Sequence, residues 1–370
     1  MSNVELPMSN VKVMSTAKPF IGRGAGFNPP NRFEEIHTGR PPVELEEYFE
    51  LPEPGRKIPT RFYIDKSKTL LSHNDSPDLG FRYSLNPYRG CEHGCIYCYA
   101  RPSHEYLGFS SGIDFETKIM VKLDAPALLE EAFSKPSWKP QTIVFSGNTD
   151  CYQPAERTLQ LTRRCLEVFA RSRHPVSMIT KNALIQRDID LLKELASRNL
   201  VFVVISITTL DQNLAKIMEP RTSAVQKRLE TVAALAANGI PVGVNIAPII
   251  PGLTESEIPA ILQAASDRGA RHAGYTIVRL SHSVKDLFQE WLRRELPDRA
   301  AKVLGRIKDV RRGKLSESGF GKRMSGEGGF AEAIDQLFEI QCRKFALNEQ
   351  PLSLSTQEFL RPGPHQLALF

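Results

Sequence analysis

The sequence predicts an α/β protein: a partial (β/α)6 TIM-like barrel with an N-terminal extended strap and a helical C-terminal extension. Three observations predict it. Short, β-branched, almost wholly apolar runs recur between residues 82 and 285, and such runs are strands buried on both faces. Each is followed by a segment with helical periodicity, which implies right-handed crossovers and a parallel sheet. There are six such units, enough for a curved sheet or partial barrel whose functional face lies at the carboxyl ends of the strands.

The elements follow in order. Residues 1–80 are rich in Pro and Gly (GRGAGFNPPNRFEE, ELPEPGRKIP) and read as strap or loops. Residues 81–285 form the core. RYSLNP is the first strand and LDAPALLEEAF the helix after it. TIVFSG, VSMITK, VFVVISITT, PVGVNIAPII and HAGYTIVRL are the five further strands. The helices between them are PAERTLQLTRRCLEVFARS, RDIDLLKELASR, VQKRLETVAALAANG (ended by Gly239) and SEIPAILQAASDRG. Residues 286–370 are mostly helical and close in a polar, proline-containing segment.

Bulk properties narrow the class. With 370 residues, 41% hydrophobic and 24% charged, the chain is of globular composition. No apolar run reaches membrane-spanning length, and MSNVELPMSNVKVMS lacks the layout of a signal peptide. The expectation is a cytoplasmic protein with no membrane partner. The net charge of +6 is concentrated: residues 293–323 hold eleven Lys or Arg and four Asp or Glu. That stretch is either a surface for nucleic acid or a solvated helical face.

Polar residues gather where the strands end: Ser146 to Asp150, Thr180 to Asn182, Ser206 to Thr209, and Asn245. The first strand runs into NPYRGCEHGCIYCYARPSHEY, which holds Cys91, Cys95 and Cys98 in a C-x3-C-x2-C run, half of the chain's six cysteines. A [4Fe–4S] cluster normally takes four thiolates, so three leave one iron open for a cofactor or substrate. A Cys3His zinc site with His93 or His104 is the alternative. Cys165 and Cys342 read as core, and Cys151 is an inert hydrophobe, a substrate contact or a hydrogen donor. GRGAGF at 22–27 lacks the preceding strand of a dinucleotide site and reads as a strap or lid near the barrel mouth. GEGGF at 326–330 reads as a hinge before a helix.

The cysteine run, with Tyr97 before its last member and the βα series behind it, resembles the radical S-adenosylmethionine superfamily. The resemblance covers about residues 82–285. It implies a [4Fe–4S] cluster on the three cysteines and S-adenosyl-L-methionine chelated to the open iron. It also implies an external electron donor of flavodoxin or ferredoxin type, and a 5′-deoxyadenosyl radical that abstracts hydrogen. CIYCYAR, GNTD, ITK, ISI, MEPRTS and NIAPII are similar to the branch that includes spore photoproduct lyase, a DNA repair enzyme. By that resemblance Thr149, Lys181 and Ser206 help hold the cofactor, and Tyr97 lies near its adenine. Arg221 contacts cofactor or substrate, or pairs with a carboxylate. The lyase's hydrogen-donor cysteine falls at Gly147 here, with Cys151 the nearest thiol, so a DNA photoproduct lyase-like repair enzyme is the alternative reading and a radical enzyme of another substrate the first. The chain looks more like the lyase-like proteins of unassigned reaction, and nucleic acid remains one substrate class among several.

Overall fold

A computed structural model describes residues 20–33, 57–316 and 319–363. Ten strands alternate with eleven helices among them. The strands are β1 (Arg61–Ile64), β2 (Leu71–His73), β3 (Tyr83–Leu85), β4 (Tyr88–Arg89), β5 (Lys118–Val121), β6 (Ile143–Phe145), β7 (Val176–Thr180), β8 (Val201–Ser206), β9 (Val242–Ile249) and β10 (His272–Ile277). The helices are α1 (Ile113–Thr117), α2 (Ala125–Ser134), α3 (Glu156–Leu159), α4 (Leu161–Arg171), α5 (Ile189–Ala196), α6 (Gln212–Met218), α7 (Val225–Ala237), α8 (Ile258–Ser266), α9 (Val284–Glu295), α10 (Pro297–Asp309) and α11 (Gly329–Lys344).

Six strands pair in parallel in the order β3-β6-β7-β8-β9-β10, and β2 adds an antiparallel edge beside β3. The six predicted strands are these six. The sheet stays open, with β2 and β10 as its two edges. In β8, Val201, Val203 and Ile205 on one face and Phe202 and Ser206 on the other are all buried, as expected of a strand covered on both sides. The helices fit by their apolar stripes. In α8, Ile258, Ile261, Leu262 and Ala265 are buried at helical spacing. Burying each large side chain of that stripe contributes about 1.5–3 kcal/mol, more than any propensity difference along the helix.

The sequence shows nothing of a second, smaller sheet. Strands β1, β5 and β4 form it in that order, with β1 parallel and β4 antiparallel to β5. RFYI, KIMV and YR are too short to display a period, so pairing rather than pattern makes them strands. Two strands, β1 and β2, thus lie in the stretch expected to be strap. Residues 1–19 and 34–56 of that stretch, and 364–370 at the far C-terminus, lie outside the described residues.

The main core packs the six-stranded sheet against α2, α4, α5, α7, α8 and α11. A second core lies under the cysteine loop, where Ile96 and Tyr97 meet Leu214, Met218, Phe288, Trp291 and Ile307. Helices α9 and α10 therefore support the cysteine loop from below. Among the described residues, no helix is long and apolar enough to cross a membrane.

Candidate active site

Cys91, Cys95 and Cys98 lie on the loop that follows β4, at the carboxyl end of the sheet. All three thiols are free. Backbone bonds fix the loop: Cys91 N donates to Phe115 O at 2.9 Å and Ile96 N to Met218 O at 3.0 Å. Arg101, fully buried, is its main brace. The guanidinium donates to the carbonyls of Gly94, Cys95, Ser111 and Gly112 and pairs with Glu116 at 2.6 Å. The strap segment closes the arrangement from outside. Gly24 N and Ala25 N donate to the Glu116 carboxylate at 3.0 and 2.8 Å. Gly24 has to be glycine, since a Cβ there would stand 1.9 Å from Gly94 O. Gly94, with φ +69°, supplies the left-handed bend between the first two cysteines.

Burial pushes all three thiols above the ordinary range; near Cys98, Arg101 and Lys181 act in the opposite direction. Soft thiols gathered on one braced loop are the kind of donor set that a soft metal recruits by displacing their protons. His93 is not free to join them as a zinc ligand. It is buried, with Nδ1 3.3 Å from Asp150 and Nε2 3.2 Å from the Asn182 amide. His104 is packed edge-on to Phe115 and tilted against Phe109.

The strand ends converge on this loop. Lys181, after β7, places Nζ 5.9 Å from the centre of the Tyr97 ring and 3.2 Å from Ala247 O. Ser206 ends β8 in register with Asn245 of β9. The Tyr97 hydroxyl donates to Glu219, which also accepts from Thr208 at 2.7 Å and pairs with buried Arg228. Burial raises the Glu219 pKa, but Arg228, Lys181 and these hydrogen bonds outweigh it and leave the carboxyl at about 2. Asp150 ties two strand ends together, accepting from Thr180 Oγ1 and from Lys181 N, each at 2.8 Å.

Other sequence candidates sit differently. The Thr149 hydroxyl is buried and donates to Tyr88 O at 2.9 Å. Arg221 pairs with Glu92 of the cysteine loop at 3.0 Å. Cys151 is fully buried within the main core, its thiol pushed up by burial. Cys165 and Cys342 are core residues as expected. In the basic stretch, Arg311 is buried and donates to the carbonyls of Ile277, Val278 and Lys322, while Arg312 pairs with Glu327. Arg311 is thus a structural cation, and Arg312 an exposed one held in a surface ion pair. Sequence reasoning missed Arg101, Glu116 and Arg228. Arg101 stands three residues after the last cysteine, which is a usable signal; IDFET around Glu116 carries none.

The family model of the radical SAM superfamily matches residues 85–265. An uncharacterized protein of Mycobacterium tuberculosis (strain ATCC 25618 / H37Rv) is 37% identical over 222 residues, 60% of this chain and 65% of the relative. The chain thus matches somewhat under two thirds of that relative's length. An uncharacterized protein of Methanocaldococcus jannaschii is 31% identical over 198 residues, 54% of this chain and 72% of the relative. A radical SAM Nalpha-GlyT isomerase of Pseudomonas phage M6 is 24% identical over 234 residues, 62% of this chain and 46% of the relative. Among solved structures, spore photoproduct lyase complexed with dinucleoside spore photoproduct shares the fold. It has a TM-score of 0.53 at 15% identity, with 77% of this chain and 78% of that one covered. The cysteine loop at the mouth of six parallel strands and the matched family model agree: the chain belongs to the radical SAM superfamily.

Proposed function

We propose that Cys91, Cys95 and Cys98 hold a [4Fe–4S] cluster, and that Lys181, Ser206 and Tyr97 hold S-adenosyl-L-methionine beside it. The observation that carries this reading is the placement of three free, braced thiols opposite Lys181 at the carboxyl ends of the sheet. When bound, the cluster supplies an electron that cleaves the sulfonium and yields a 5′-deoxyadenosyl radical for hydrogen abstraction. The chain's residues do the rest. Lys181 presents an ammonium to the methionine carboxylate, its backbone pinned by Asp150. Tyr97, anchored through Glu219, gives a ring face for the adenine. Ser206 faces the same mouth from the end of β8. Thr149 shapes the neighbouring loop through Tyr88, and Arg221 neutralises Glu92 beside the thiols. In this reading Cys151 packs the core and donates no hydrogen to substrate.

The electron comes from an external donor of flavodoxin or ferredoxin type, and six free cysteines suit a reducing cytoplasm. Anaerobic reconstitution tests the reading. A brown protein with about four irons, releasing 5′-deoxyadenosine with dithionite, is expected. Alanine at any of the three cysteines abolishes that product. Stoichiometric zinc without nucleoside product would overturn the assignment.

A further inference from the structure

Beside Cys98 lies a cavity of about 330 Å³, walled by the residues after the last cysteine, the exit of β10 and the segment before α11. Arg32, Arg279 and Arg323 line it together with Tyr99 and Tyr106. The three cations are not equivalent. Arg32 pairs with Glu105 at 2.6 Å, and Arg323 pairs with Asp78. Arg279 stands two residues past β10 and makes no ion pair among the described residues; Asp78, the carboxylate whose charge reaches it, is bonded to Arg323 and to Gly321 N. The single hydrogen bond of Arg279 runs to Met324 Sδ at 3.5 Å, and its Nε is buried without a partner. A half-buried guanidinium that shares one carboxylate with Arg323 and bonds none directly has room for a further anion.

Pro102, Ser103, Ser281, His282 and Ser316 complete the lining, and aromatic rings stand on and around its rim. Tyr106 is 70% exposed and packs against exposed Phe33, their ring centres 4.6 Å apart. The Arg32 guanidinium lies 4.6 Å over Phe33, and that of Arg323 lies 4.5 Å over Phe320, itself exposed. Tyr99 is half-exposed, its hydroxyl fixed on Gly147 O at 2.6 Å. Exposed rings interleaved with arginines serve one ligand chemistry well: cations for phosphate, ring faces for bases.

We propose that this cavity binds a nucleotide unit, its phosphate on Arg279 and its base against Tyr106, beside the last cysteine. The proposal deepens the radical-enzyme reading and rests on it only for what happens after binding. The reconstituted holoprotein is titrated anaerobically with a labelled single-stranded deoxyoligonucleotide, read by anisotropy, and with a nucleoside monophosphate, read by calorimetry. Saturable binding is expected, about tenfold weaker in Arg279→Met, the equivalent of about 1.4 kcal/mol. The slope of log affinity on log salt should fall by about 0.7 in that variant, with Arg279→Lys recovering part of both. Tyr106→Ala, at an exposed position, should weaken binding and leave the salt slope unchanged. That second variant keeps the test decisive if Arg279→Met fails to fold. Binding of the strand alone identifies nucleic acid as the source, and equal binding of the mononucleotide identifies a free nucleotide; both support the cavity. Failure of the wild type to bind either probe, or unchanged affinity in both variants, overturns it. Formation of 5′-deoxyadenosine by the same wild-type preparation is read in parallel. Its absence alongside intact binding removes the radical reading and not this one.

Discussion

His174 is held as a neutral imidazole by its bonding. Its Nε2 accepts from Trp138 Nε1 at 3.2 Å, so Nδ1 carries the proton and donates to Pro175 O at 3.0 Å. The ring stacks on Phe133 with centroids 4.2 Å apart and an 8° tilt. Burial lowers its pKa to about 3, although the bond to Pro175 works the other way. Below about pH 6.5 the unfolded chain binds a proton that the folded chain refuses, so stability rises with pH across that window and is lost as pH falls. The loss should reach about 2 kcal/mol by pH 5, at about 1.4 kcal/mol per unit. Urea midpoints of wild type and His174→Phe at pH 7 and pH 5 check this: the wild type should fall further by about that amount. His104, lowered to about 4 by burial, contributes equally in both proteins and cancels. A gap that does not change with pH would refute the neutral-imidazole account. Cys151 makes a second residue-scale case. Buried in the core, Cys151→Ala should cost about 1–2 kcal/mol in urea unfolding, through lost packing. It should leave 5′-deoxyadenosine formation intact, whereas a hydrogen donor reaching the mouth would show altered product formation from substrate.

At the scale of elements, the cysteine loop is positioned by parts distant in sequence. The strap at Gly24 and Ala25 bonds Glu116, Glu116 pairs with Arg101, and Arg101 holds the carbonyls between the cysteines. Gly24→Ala would press a methyl into the Gly94 carbonyl. Overpacking of this kind typically costs about 1–3 kcal/mol, and here the strain falls on the loop itself. The variant should reconstitute with less iron per chain than wild type, measured by iron assay and the cluster's visible absorption, while its circular dichroism stays native. Full iron loading would show that the strap does not position the loop. The same chain of contacts marks where sequence reading stops. Five of the six core strands were legible as apolar runs, RYSLNP only by its place before the cysteines, and the cysteines because three soft ligands rarely cluster by chance. The strap's role was not, because GRGAGF acts through backbone amides and a close approach rather than through side-chain chemistry. Nor was the pairing of Arg228 with Glu219, since charges nine residues apart meet only once α6 and α7 are folded. Arg311 shows the converse error: a basic run looks like surface until its carbonyl partners are seen.

At the scale of the whole molecule, the two ends of the barrel have separate duties. The thiols and strand-end polar groups occupy the carboxyl end. The chain after α11 runs along the opposite end, and its contacts are with strand beginnings and the turns before them. Asn348 pairs with edge strand β10, exchanging side-chain bonds with Ala273 N and O, both 2.9 Å. Ser355 N donates to Asn199 O and Leu360 N to Ser172 O, also 2.9 Å each. Arg361 donates to the carbonyls of Phe133, Lys135 and Trp138, and Phe359 packs edge-on to Phe133 and His174. This segment covers an edge that an open sheet otherwise exposes, and an exposed edge is a pairing hazard. A chain ended after Leu347 should therefore unfold at lower temperature. The segment supplies seven of these hydrogen bonds; at about 0.5–1.5 kcal/mol net for each, a loss of several kcal/mol follows. With about 2–4 °C per kcal/mol for domains of 150–250 residues, the midpoint should drop by roughly ten degrees. Arg361→Ala alone should reproduce part of that loss. Below its midpoint the truncated protein should still bind about four irons and cleave S-adenosyl-L-methionine, because the hydrogen bonds just described for the removed segment all lie at the opposite end. An unchanged midpoint would refute the segment's stabilising role, and a truncated protein that is folded but cannot load iron would refute the division of the barrel into a stability end and a chemical end.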